Sequence, residues 1–230
     1  MQKVYFISGT MCTEELWQFI FPNLNKVTPV HIDITPADSF DGINQLIAHA
    51  IDEKEPVTLV GFSLGGFSAM NFAIEHPEKI KRLVIVAANA NGLNDNEVKL
   101  RKSTLSFLEK HSYKGISQAR IQQFLHPSNH QNNELISIIK KMDTDLGKDV
   151  LIRQLKATSN RVDITNKLIH FEKPILCIAA ENDSLVNPLE IKSLSKKLKK
   201  GTFVSIKNSG HMIPLEKPKE LSYLLSINLV

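Results

Sequence analysis

Ser63 stands in the run Pro56-Val57-Thr58-Leu59-Val60-Gly61-Phe62-Ser63-Leu64-Gly65-Gly66-Phe67, which holds the pattern Gly-x-Ser-x-Gly. A serine in that setting is a candidate nucleophile for acyl transfer. The pattern is short enough to recur by chance, so its flanks carry the argument. An apolar strand pattern precedes Ser63, and a helical pattern follows it at once. A serine on so tight a strand-to-helix turn is forced into a strained backbone conformation that lifts Oγ above the sheet. Small residues at Gly61 and Gly65 let the neighbouring chain pack against the turn. The helix that follows aims its free N–H groups at the same spot. A plain glycine-rich connection is the alternative. A phosphate-binding loop would need a Gly-Lys-Ser/Thr ending, and none is present.

A serine hydroxyl needs a base to act as a nucleophile at neutral pH. Of the eight histidines, His211 stands in Ser209-Gly210-His211, just after the last strand pattern, where a loop residue would meet Ser63. His31, His49 and His76 fall in or beside early elements and read as structural or solvent-facing. His111, His126, His130 and His170 belong to a helical middle segment. His126 and His130 are four apart, but Pro127 spoils a helical metal pair, so no metal is expected. An imidazole acting as base needs a buried carboxylate to hold one tautomer. Asp183 and Glu181 both follow the apolar run 175–180 directly and compete for that place.

The elements that would position these residues alternate. Apolar runs at 4–8, 29–32, 57–60, 82–88, 175–180 and 202–206 read as strands, and several are apolar throughout, as in Leu83-Val84-Ile85-Val86. Strands covered on both faces, as in parallel sheets, read this way. Helical patterns over 14–24, 42–52, 64–76 and 189–200 separate them. The result predicts an open parallel α/β sheet. Ligands bind such sheets at the C-terminal ends of the strands. Between strands four and five, 92–171 offers no good strand but four helical patterns, at 98–110, 116–124, 134–142 and 148–157. This predicts a helical cap at 92–171 over a core of 1–91 and 172–230.

Bulk properties narrow the function classes. Hydrophobic residues make up 42% of the 230 and charged residues 23%, which fits a globular protein. The net charge is only +4, with no basic block interleaved with aromatics, so nucleic acid is not an expected partner. The segment 92–173 carries 14 Lys and Arg against 9 Asp and Glu, a surplus of five, while the rest carries 14 against 15. No apolar run reaches the roughly 18 residues of a membrane span. The N-terminal residues lack the features of a signal peptide, and Cys12 and Cys177 read as reduced thiols. A cytoplasmic address is expected.

At this point the chain resembles the α/β-hydrolase superfamily along nearly its whole length. The resemblance rests on Gly61-Phe62-Ser63-Leu64-Gly65-Gly66, on His76-Pro77 with Leu83-Val84-Ile85, and on Asp183-Ser184-Leu185-Val186-Asn187-Pro188. It continues in Gly210-His211-Met212-Ile213-Pro214-Leu215-Glu216-Lys217-Pro218. In layout the chain is similar to small capped esterases such as the pimeloyl-acyl-carrier-protein methyl ester esterases. The resemblance favours Asp183 over Glu181, and the chain order Ser, Asp, His agrees with it. Where members commonly carry His-Gly with a Trp several residues on, this chain has Ser8-Gly9-Thr10-Met11 with Trp17. The oxyanion donors implied are the Thr10 and Leu64 N–H groups, with Met11 as the alternative to Thr10. Ser8 in place of His removes a side chain that usually braces this loop. Many members carry two antiparallel strands before this loop; here it comes after only eight residues, so those strands are not expected, and the resemblance then implies six parallel strands with the first inside the sheet and the second outside it.

The resemblance implies a serine hydrolase that cleaves a carboxylic ester or related acyl bond through Ser63, His211 and Asp183, with no metal or organic cofactor. A lyase or C–C bond hydrolase on the same residues, or a ligand sensor of low turnover, is the alternative. Met11, Leu64, Phe67, Leu185 and Met212 are expected to line an apolar acyl site, of which Phe67 and Leu185 also suit the core. The positive middle segment points to a small substrate that is anionic or linked to an acidic carrier protein.

Overall fold

Six apolar runs form the strands β1 (Gln2–Ile7), β2 (Val27–Ile32), β3 (Val57–Phe62), β4 (Ile80–Val86), β5 (Ile175–Ala180) and β6 (Gly201–Ile206). They make one parallel sheet in the order β2-β1-β3-β4-β5-β6. β1 therefore lies inside the sheet with β2 on its outer side, as expected. The computed structural model describes residues 1–229. Side chains alternate between two apolar layers: Val4 and Phe6 face one, Tyr5 and Ile7 the other. Both faces are covered, which is why the strands lack a polar alternation.

The helices are α1 (Phe40–Ala50), α2 (Leu64–Glu75), α3 (Asp95–Lys110), α4 (Gln118–Phe124), α5 (Asn133–Thr158), α6 (Thr165–Leu168), α7 (Pro188–Lys197), α8 (Ile213–Glu216) and α9 (Pro218–Asn228). α1, α2, α6 and α7 contribute to the layer on one face of the sheet. Part of α5, with α8 and α9, contributes to the other. α2 is buried nearly all round, as its apolar sequence requires.

Helices α3 to α6 lie between β4 and β5. α3 opens with a complete capping box, in which Asn94 and Glu97 each bond the other's backbone N–H. Inside α5 the backbone breaks at Gly147, with φ 69° and ψ −175°. That left-handed φ suits glycine and separates the two helical patterns read at 134–142 and 148–157.

The helix expected over 14–24 does not form. Two short 3₁₀ turns replace it, Glu14–Trp17 and Phe21–Asn23. Pro22 supplies the reason: it lacks an N–H, and its ring would clash with the carbonyl four residues earlier in a continuous helix. Cys12 and Cys177 are free and buried in opposite layers of the sheet, and burial pushes both thiols up to about 12. Among the described residues, no helix is long and apolar enough to cross a membrane.

The register aligns the strand ends. Gly61 of β3 pairs with Ile7 of β1 and Ile85 of β4, Val86 with Ile178 of β5, and Ala180 with Ile206 of β6. The loops that follow β1, β3, β5 and β6 thus leave one rim of the sheet, and they carry Thr10, Ser63, Asp183 and His211.

Candidate active site

Ser63 joins β3 to α2 with φ 52° and ψ −116°. A non-glycine residue held there carries strain of about 1–3 kcal/mol. Its neighbours hold it: the Ser63 N–H donates to Val86 O at 2.9 Å, and Ser63 O accepts the Phe67 N–H at 3.1 Å. The turn closes only because Gly61 and Gly65 lack side chains. A Cβ on Gly65 would sit 2.2 Å from Ile7 O, and one on Gly61 would sit 2.3 Å from Gly65 O.

His211 follows β6 and is 4% exposed. Its ring packs beside Phe62, with centroids 5.0 Å apart. Nε2 lies 3.0 Å from Ser63 Oγ, and Nδ1 lies 2.8 Å from Asp183 Oδ2. The Asp183 side chain is fully buried. Its other oxygen accepts the Leu185 N–H at 2.8 Å and the Val186 N–H at 3.0 Å. An ionised carboxylate only accepts, so the imidazole proton sits on Nδ1 and Nε2 is left to accept from Ser63. A hydroxyl, an imidazole and a carboxylate in this order can remove the serine proton and stabilise the imidazolium that results. Glu181, the competing carboxylate, accepts the Asn208 N–H at 3.3 Å instead.

Glu216 braces the histidine loop, a part no sequence argument assigned to it. It accepts the Gly210 N–H at 2.7 Å, the His126 N–H at 2.6 Å and Asn129 Nδ2 at 2.9 Å. The only sequence signal was its place in the run that begins at Gly210. His126 and His130 serve turns: His126 Nδ1 bonds Ser128 and His130 Nε2 bonds Leu125 O. Among the described residues, no group of three or more His, Cys, Asp or Glu side chains is arranged to hold a metal ion.

The loop after β1 is braced by Ser8 despite the missing histidine. The Ser8 hydroxyl donates to Thr13 O at 3.0 Å and accepts the Trp17 indole N–H at 3.0 Å. His31 Nε2 reaches the same oxygen at 3.0 Å. With its one proton committed, Ser8 can only accept there, so His31 donates from Nε2. Burial holds the His31 imidazole below its ordinary range, with Glu14 and Asp33 opposing. Among the described residues, the Thr10 and Leu64 N–H groups make no hydrogen bond, whereas the Met11 N–H donates to Gln154 Oε1 at 2.9 Å. Thr10 therefore offers a free donor and Met11 does not.

The five residues expected to line an apolar acyl site, Met11, Leu64, Phe67, Leu185 and Met212, differ in burial. Leu64, Phe67 and Met212 are buried in the core, and only Leu185 of the five lines the cleft beside Ser63. That cleft, about 830 Å³, has Asn89, Asn91, Glu97, Arg161 and Glu190 on its walls beside the apolar Ala88, Leu93, Val162 and Val186. The loops after β4 and β5 supply part of its walls, and α3, α7 and the segment after α5 supply most of the rest. Arg161 lies over the Phe67 ring at 4.8 Å and donates to Asn91 O at 2.9 Å and Asn89 Oδ1 at 3.3 Å. Asn89 and Asn91 in turn donate to Glu190 Oε2 at 2.8 and 2.9 Å.

The family model of the alpha/beta hydrolase fold matches residues 43–218, most of the chain. The chain belongs to the α/β-hydrolase family. Among curated relatives, this α/β-hydrolase is 24% identical to the pimeloyl-[acyl-carrier protein] methyl ester esterase of Neisseria meningitidis serogroup C, over 92% of this chain and 87% of that one. It is also 24% identical to the pyrrolizixenacetamide deacetylase of Xenorhabdus hominickii, over 74% of this chain and 64% of that one. A solved thermophilic esterase from Thermogutta terrifontis superposes with a TM-score of 0.88 at 17% identity, covering 98% of this α/β-hydrolase and 88% of that chain. The enol-lactonase of Burkholderia xenovorans superposes with a TM-score of 0.84 at 12% identity, covering 97% and 89%. At those identities the two structures speak to the fold alone.

Proposed function

We propose that this α/β-hydrolase cleaves a carboxylic ester or related acyl bond through an acyl-enzyme, with Ser63 as nucleophile, His211 as base and Asp183 as the carboxylate that orients it. The observation that carries this reading is the continuous hydrogen-bonded chain from Ser63 Oγ to His211 to Asp183, at 3.0 and 2.8 Å. Ser63 Oγ attacks the acyl carbon as its proton passes to His211 Nε2. The Thr10 and Leu64 N–H groups hold the developing oxyanion. His211 then returns the proton to the leaving alkoxide, and water repeats the sequence on the acyl-serine. Every group needed for that cycle is a side chain or backbone N–H of this chain, so the reading calls for no cofactor. Helices of 92–171 serve as a cap that shapes the cleft, over a core of 1–91 and 172–230. The reading assigns the protein to the cytoplasm.

The substrate is a small acyl compound bearing an anionic or carrier-linked group. Support comes from the positive surplus of the middle segment and from Arg161, which forms no ion pair among the described residues. The carboxylates that share its cleft are already engaged. Glu97 caps α3, Asp163 accepts the Thr165 N–H, and Glu190 holds the two asparagines. Arg161→Met should raise KM for an ester with a free carboxylate by about tenfold or more, the size of one lost charge-assisted hydrogen bond. KM for a neutral ester of equal length should stay within about twofold, since the loss is electrostatic. Equal changes for both esters would remove Arg161 from recognition.

Labelling with a fluorophosphonate, together with a panel of p-nitrophenyl esters, tests the reading as a whole. The expected result is stoichiometric modification of Ser63 and turnover on short esters. Labelling without turnover would favour the sensor or a different reaction on the same residues. No labelling at all would reject an activated Ser63.

A further inference from the structure

Gln154 lies in the second half of α5, yet it reaches the loop after β1. It is 2% exposed, and its Oε1 accepts the Met11 N–H at 2.9 Å. Its Nε2 is buried with no hydrogen-bond partner. A leucine or methionine would fill similar volume without stranding a donor, so packing alone does not explain an amide here. The carbonyl half of that amide is the part in use.

Its effect falls on Thr10. Met11 has φ 54°, a left-handed conformation that a residue with a Cβ adopts only when held there. The peptide unit after Thr10 is pinned by Gln154 through the Met11 N–H. The unit before it is pinned at the other end, because Gly9 O accepts the Cys12 N–H at 3.2 Å. Gly9 C=O and Thr10 N–H belong to one planar trans peptide and point in opposite directions. With both units fixed, the direction of the free Thr10 N–H is fixed as well. Gln154 is itself anchored, since its backbone O accepts the Thr158 hydroxyl at 2.7 Å, and Thr158 Oγ1 accepts from Arg101.

We infer that Gln154 is a positioning residue of the oxyanion hole: by holding the Met11 N–H it aims the Thr10 N–H at the acyl carbonyl, and so makes the rate depend on a helix outside the sheet core. This rests on the reading of Ser63 as a hydrolytic nucleophile.

The test compares Gln154→Leu, which removes the acceptor, with Gln154→Glu, which burial keeps protonated and which retains a carbonyl. Both are assayed on p-nitrophenyl acetate, with thermal midpoints and fluorophosphonate labelling of Ser63 measured in parallel. Gln154→Leu should lower kcat by about 10–100-fold with KM within about threefold, as a displaced oxyanion donor would. Gln154→Glu should recover kcat to within about fivefold of wild type, because the acceptor is back. Should Gln154→Leu unfold below the assay temperature, Gln154→Met carries the same expectation. Wild-type kcat in the apolar variant, or equal loss in the apolar and Glu variants, overturns the inference. If Ser63 of the wild type is labelled while the Gln154 variants keep full kcat, only this inference fails. If the wild-type Ser63 is not labelled, the hydrolase reading fails first.

Discussion

Alanine at position 63 should lower ester turnover by about 10⁶-fold, the loss seen when a catalytic serine acting with its base is removed. The protein should remain folded. Ser63 is half-buried, and among the described residues its side chain bonds only to His211. Its backbone bonds to Val86 and Phe67 do not involve the hydroxyl. The strained φ of 52° is not relieved by alanine, which also has a Cβ, so the thermal midpoint should move by only a few degrees. Initial rates on p-nitrophenyl esters and a melting curve make the check. Turnover that survives the substitution would mean that the chemistry runs elsewhere.

Asparagine at position 183 should cost about 10⁴-fold in kcat, as a wrong histidine tautomer does. The direction follows from which atoms are already held. Oδ1 of residue 183 accepts two backbone N–H groups, from Leu185 and Val186, and an amide oxygen would keep both bonds. The amide nitrogen would then face His211 Nδ1 and donate to it. That forces the imidazole proton onto Nε2, where it opposes the Ser63 hydroxyl rather than accepting from it. Geometry and stability should change little while kcat falls. A Glu181→Gln variant serves as the control, because Glu181 bonds the Asn208 N–H and not the imidazole. It should stay within about threefold of wild type, since it removes no group that touches His211.

The sheet and the elbow were legible because their causes are local. A strand covered on both faces shows as an apolar run, and the turn at Ser63 shows as two glycines between a strand and a helix. The same runs located all six strands, though most strand ends differ by one or two residues, and the place of β1 inside the sheet was implied by the family resemblance. Choosing between Asp183 and Glu181 needed more, because both leave β5 at the same rim and only the approach of His211 separates them. The donors for the oxyanion are backbone groups, so no side chain in the sequence could tell Thr10 from Met11. Gln154 is 143 residues from Met11, and nothing near it signals that contact. Ser8 likewise gains part of its role from His31, which lies beside it only after β1 and β2 pair. The walls of the cleft beside Ser63 were not legible for a related reason. Asn89, Arg161 and Glu190 are far apart in sequence and meet beside Ser63 only once the fold brings their segments together.

Rapid quenching of the protein during turnover of p-nitrophenyl acetate, followed by peptide mapping by mass spectrometry, tests the central claim most directly. The account predicts an acetyl group on the peptide that carries Ser63, with its amount rising to a steady level as ester is consumed. Steady ester consumption with Ser63 unmodified at every quench time, or with the acetyl group on another residue that turnover requires, would contradict it.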